Sequence, residues 1–160
     1  MEQGDAAGIS TDARLVQDGP ILICYDGSRE SERAIVVAAR LFGQRSAIVL
    51  DVAPLMIGAG WAPAGSDVAV LDQLALDDAL ARATAGVRIA EAAGFEATAR
   101  ADAALDTWRA VNEVATEIGA AAIVIGSRGL TGLHALLKGS LSRAVEAHAH
   151  RPVLVVPPAA

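Results

Sequence analysis

Residues 21–52 read ILICYDGSRESERAIVVAARLFGQRSAIVLDV. An apolar run opens at Ile21 and ends in Asp26-Gly27-Ser28. Apolar residues then recur at helical spacing, which puts Ala34, Val37, Ala38 and Leu41 on one face. Glu30 and Glu32 fall in the first turn, where carboxylates complement the positive end of a helix. Gly43 follows Phe42 and suits a helix stop. Ser46 to Val52 is a second apolar run. Strand, helix, strand in this order predicts a parallel pair, because parallel strands need a long crossover. Runs that are apolar nearly throughout predict strands buried on both faces.

The same alternation continues downstream. Pro54–Ser66, PLMIGAGWAPAGS, is a loop by its glycines and prolines, yet apolar enough to pack over something. Residues from Val68 to about Ala93 predict a long Ala- and Leu-rich helix, ended by Gly94. FEATARA, from Phe95, is the strand with the weakest alternation. Asp106 is placed to cap a helix whose stripe is Trp108, Val111, Ala115 and Ile118. AAAIVIG ends at Gly126, Ser140–Ala149 reads as a helix, and RPVLVVPP supplies a last strand. The pattern β-α-β-α-β-α-β-α-β predicts an α/β three-layer sandwich. In such a sheet the ligand crevice lies beyond the strands' carboxyl ends, where the winding reverses. Asp26 and Gly126 both stand at such ends.

Composition narrows the function. The chain has 160 residues, enough for one domain with a sizeable core. Residues 1–19 predict a flexible tail and residues 20–160 a single domain. Aromatics are 3% of the chain, so the core must be aliphatic. A net charge of −6 argues against nucleic acid as a partner, since that affinity comes from Lys and Arg on phosphates. No run approaches the ~20 apolar residues of a membrane span. The N-terminus lacks the basic start and apolar stretch of a signal peptide, which predicts a cytoplasmic protein. Cys24 is the one cysteine and reads as a small buried hydrophobe rather than a reactive thiol.

After the fourth strand comes GSRGLTGLHALLKGS, residues 126–140. Gly126 and Gly129 let a ligand approach the backbone, and Gly139-Ser140 precedes a helix whose free amides favour an anion. The stretch lacks the order of a Walker A loop, since Lys138 precedes Gly139, and it is not the dinucleotide fingerprint. Glycine spacing by itself admits a phosphate cradle and a pair of ordinary turns alike.

Gly126, Gly129, Gly139 and Ser140 match, without a gap, the pattern G-x-x-G, nine residues, G-[ST], and so resemble the ATP-binding branch of the universal stress protein family. YDGS at 25–28 and RPVLVVP at 151–157 resemble that family's first and last strands. The resemblance covers about residues 20–158. It implies a five-stranded parallel sheet in order 3-2-1-4-5, a Rossmann-like fold of the adenine nucleotide α-hydrolase type, with ATP across the crevice. It also implies a dimer, with pairing through the last strand, whose apolar edge, Val153–Val156, itself invites a partner.

Carried over by position, the implied nucleotide-binding residues begin with Cys24, Tyr25 and Asp26 at the first strand's end. Val52 lines the adenine pocket. Ile125, Gly126, Arg128 and Gly129 hold ribose and phosphates, and Gly139, Ser140, Leu141 and Ser142 hold the outer phosphates. Tyr25 stands where the family often has a small or aliphatic residue. Mg²⁺ could accompany the nucleotide. Asp26 also suits a turn former ahead of the helix, and the two roles are compatible. His134, His148 and His150 lack the carboxylate or cysteine partners of a metal set, and no catalytic triad can be argued. Asp77-Asp78 read as a solvated helix face, Trp108 as core, and Trp61 as either an adenine cover or loop packing.

The resulting expectation is an ATP-binding regulatory protein of the stress response, acting as a nucleotide-dependent switch. The alternatives are a slow ATPase or phosphotransferase, a binder of AMP or cyclic AMP, and a dimeric interaction module with a vestigial pocket. No dedicated base is visible for hydrolysis, so catalytic residues are not assigned.

Overall fold

The computed structural model describes residues 18–55, 67–127 and 140–159, with Ser140 placed in its helix only. Within them lie β1 (Ile21–Cys24), α1 (Arg29–Phe42), β2 (Ser46–Pro54), α2 (Val68–Ala92), β3 (Glu96–Ala104), α3 (Thr107–Glu117), β4 (Ala122–Gly126), α4 (Ser140–His148) and β5 (Val153–Val156). All pairings are parallel, and the order is β3-β2-β1-β4-β5. The anticipated α/β sandwich and strand order are both present.

Alternation along the strands sorts the core into two layers. Ile21 and Ile23 of β1, Val49 of β2 and Val124 of β4 face α1 and α2, meeting Ala34, Ile35, Ala38 and Ala90. Leu22, Leu50, Ile123 and Ile125 face the other way, against Val111, Val114 and Ala115 of α3 and Val145 of α4. Burial of β1 from Ile21 to Ile23 and of β4 along its whole length explains their unbroken apolar runs. β3 is an edge strand with no buried residue, which is why its pattern was weakest. It nevertheless pairs along its whole length with β2, from Ser46↔Glu96 to Pro54↔Ala104.

α1 starts where its sequence directs. Ser28 caps it, its Oγ accepting from Ser31 N–H at 3.1 Å. Gly43, at φ 68°, closes it by donating to Ala39 O at 3.0 Å. The expected apolar face needs correction. Ala34 and Ala38 are buried and Val37 is half-buried, but Leu41 is 63% exposed. The buried face is Ser31, Ala34, Ile35 and Ala38, so its centre lies to the side of Leu41. A polar residue, Ser31, anchors it, and an apolar-only count overlooks that. α3 keeps its expected stripe, but Asp106 stands at the cap position without a side-chain cap bond.

Candidate functional site

β1 lies between β2 and β4, so the winding reverses at its carboxyl end. A crevice opens there. Cys24, Tyr25 and Asp26 line it from the end of β1, Leu50, Asp51 and Val52 from β2, and Ile125 and Gly126 from β4. Thr107 and Val111 of α3, Leu141 of α4 and Ser31 of α1 close its sides.

The turn after β1 is tightly bonded. Tyr25 N–H continues the sheet to Leu50 O at 2.8 Å. Asp26 Oδ1 accepts from Ser28 N–H at 3.0 Å, across Gly27 at φ 79°. Ser31 Oγ donates to Ser28 O at 2.8 Å. Asp26 is therefore a turn former, as expected. Its second oxygen, Oδ2, is buried and has no hydrogen-bond partner. A buried carboxylate oxygen without a donor is costly, and a ligand or a water can supply one.

Asp51 is the other carboxylate of the crevice, 5% exposed. Burial pushes its pKa up, and the Arg82 guanidinium of α2, with Nε 2.6 Å from Oδ2, opposes that rise. Cys24 has its thiol pushed up to about 12, first by burial and then by the Asp26 and Asp51 charges. The thiol is therefore protonated and inert at neutral pH, in keeping with its reading as a small hydrophobe. Tyr25 is 5% exposed and belongs to the layer facing α1 and α2. Burial, with Glu32, Asp26 and Asp51, raises its phenol pKa.

Two glycines make room for this arrangement. A Cβ on Gly86 of α2 would stand 2.8 Å from Tyr25 Cδ1 and 2.9 Å from Val49 Cγ1. A Cβ on Gly126 would stand 2.7 Å from Glu30 O. Gly126 is thus required by the first turn of α1, a demand independent of any ligand.

Of the residues singled out from the sequence, Cys24, Tyr25, Asp26, Val52, Ile125, Gly126 and Leu141 come together in the crevice. Ser142 lies on α4 but is not in that lining. Arg128, Gly129 and Gly139 lie outside the described residues, as do Trp61 and His134, and of Ser140 only the helix placement is described. The sequence reading missed Ser31, Asp51 and Thr107 as polar lining and Leu50 and Val111 as apolar lining. Asp51 had a signal, as the one charge inside the apolar run SAIVLDV. Among the described residues, no three His, Cys, Asp or Glu side chains gather as metal ligands.

The universal stress protein family model matches residues 19–157. No curated protein matches the chain by sequence. Among solved structures, hypothetical protein MJ0577 superposes with a TM-score of 0.71 at 21% identity, covering 90% of this chain and 99% of that one. A universal stress protein in complex with cAMP gives 0.61 at 24% identity, covering 86% and 96%. The universal stress protein from Archaeoglobus fulgidus in complex with dAMP gives 0.56 at 25% identity, covering 86% and 97%.

Proposed function

This chain belongs to the universal stress protein family, and from that premise we propose that its crevice holds an adenine nucleotide and that occupancy is the signal it passes on. One observation carries the reading: Asp26 Oδ2, buried at the point where the winding reverses, lacks a donor that an amine or ribose hydroxyl would supply. Val52, Ile125 and Leu141 offer apolar surface for a flat base beside it. The described lining carries two carboxylates, Asp26 and Asp51, and no cation. It therefore suits the nucleoside end. The phosphate end falls to the segment of Gly126, Arg128, Gly129, Gly139 and Ser140, whose glycine pattern favours ATP, with Mg²⁺ as its companion.

A second reading is a monophosphate, AMP or cyclic AMP, supported by the dAMP complex of the relative at 25% identity. Hydrolysis would be slow, since of the two carboxylates in the described lining Asp51 is held by Arg82 and Asp26 holds the turn by accepting from Ser28 N–H. The apolar edge of β5 supports a homodimer as the acting form. Mass spectrometry of the ligand released when the purified protein is denatured tests the reading. ATP supports the switch, and AMP or cyclic AMP the second reading. Accumulation of ADP with time supports slow hydrolysis. A protein that carries no nucleotide and binds none added to it refutes all three.

A further inference from the structure

A second concavity lies on the far side of α3, bounded by the end of α4 and the segment leading into β5. Three segments bring basic groups to it: Arg109 from α3, His148 from α4, and His150 with Arg151 from the connection to β5. In a chain of net charge −6 this convergence is unexpected. The two guanidiniums have no carboxylate partner among the described residues. Arg109 instead lies over the Trp108 ring at 5.4 Å, and Arg151 Nη1 donates to Ala120 O at 2.6 Å, leaving further N–H groups on each side chain. His148 stacks on Trp108 with centroids 4.5 Å apart. Its Nδ1 meets Ala144 O at 2.8 Å, and a carbonyl can only accept, so Nδ1 carries the hydrogen and Nε2 is the other nitrogen. Of the acids in the groove, Glu117 is held by both Nη atoms of Arg100, at 3.0 and 2.7 Å. Glu113 is the remaining one. The amide nitrogen of Asn112, also in the lining, has no acceptor.

We infer that this groove is a second binding site, for a small dianionic oxyanion such as a phosphate or a dicarboxylate. Arg109 and Arg151 supply the charge. The Trp108–His148 stack holds Arg109 in place over its ring, and so pre-orients it. Glu113 opposes the ligand and sets its affinity low.

Trp108 reports on the site. In a Trp61→Phe background, its fluorescence is titrated with sodium phosphate, sodium succinate or sodium chloride at matched ionic strength. A saturable change with phosphate, succinate or both, absent with chloride, is the expected result, and which anion binds more tightly tells phosphate from carboxylate. Arg109→Gln should weaken binding about tenfold, as loss of a charged hydrogen-bond donor does. Glu113→Gln should tighten it about twofold, by removing a repulsive charge at a surface site. Neither variant should change nucleotide affinity in the crevice. Equal responses to all three salts, or responses that ignore both substitutions, would overturn the site.

Discussion

Asp51 and Tyr25 show how single residues shape the crevice. Burial is the largest influence on Asp51 and raises its pKa despite Arg82, so the folded protein takes up this proton more readily than the unfolded chain. The stability it confers is then fully present below the ordinary aspartate pKa and is lost as pH rises through the higher folded value. Relative to Asp51→Asn, the parent should therefore lose stability over that acidic interval and run parallel to the variant above it. Denaturant melts of both proteins across the acid range check this. A parent that gains on the variant with rising pH would show that Arg82 dominates instead. Tyr25 makes a second residue-scale case. Its ring occupies the space that a side chain at Gly86 would need. Gly86→Ala should cost about 1–3 kcal/mol through overpacking. In a Tyr25→Leu background the cost should fall, though not to zero, because Val49 also lies close. A double-mutant cycle by urea unfolding measures the coupling, and strict additivity would contradict the packing described.

At the scale of elements, legibility followed burial. β4 is buried throughout and β1 from Ile21 to Ile23, and their runs could be read directly. β3 was readable only as a weak run because an edge strand of alanines has no apolar face to announce it. The face of α1 was read a step off, because Ser31 earns its burial by bonding Ser28 rather than by being apolar. Of the crevice residues at strand ends, Asp26 and Gly126 were legible from their positions at the ends of apolar runs, whereas Val52 came only through the family resemblance. Thr107 and Ser31 were not legible, since which helix residues reach the crevice depends on how α1 and α3 seat on the sheet. Asp106 shows the converse: the right residue stands at the cap position, but its side chain makes no cap bond. β5 carries an element-scale prediction. It pairs with β4 alone among the described strands, and Val155 is 36% exposed. If that edge joins two copies, Val155→Lys should leave a folded monomer, because Lys on an edge blunts strand pairing. Sedimentation at micromolar concentration reads the mass, and a parent that is already monomeric would remove the dimer from the proposal.

The molecule as a whole places its polar atoms economically. Two layers of aliphatic side chains enclose the sheet, and its polar exceptions collect where β1 gives way to β2 and β4. No helix among the described residues is long and apolar enough to cross a membrane. Asp51 is paired to Arg82 and Ser31 is bonded to Ser28, while Asp26 Oδ2 is buried in the crevice without a hydrogen-bond partner. Asp26→Asn isolates that atom. The amide oxygen can still accept from Ser28 N–H and keep the turn, while the nitrogen presents a donor where the carboxylate presented an acceptor. Calorimetric titration of parent and variant with MgATP and with AMP, beside thermal melts that confirm folding, is the most direct test. Nucleotide should bind the parent, and the folded variant should bind it at least about tenfold more weakly, the loss of a hydrogen bond to a charged group. A folded Asp26→Asn protein with parental affinity for both nucleotides would place the ligand elsewhere and contradict the crevice as the nucleotide site.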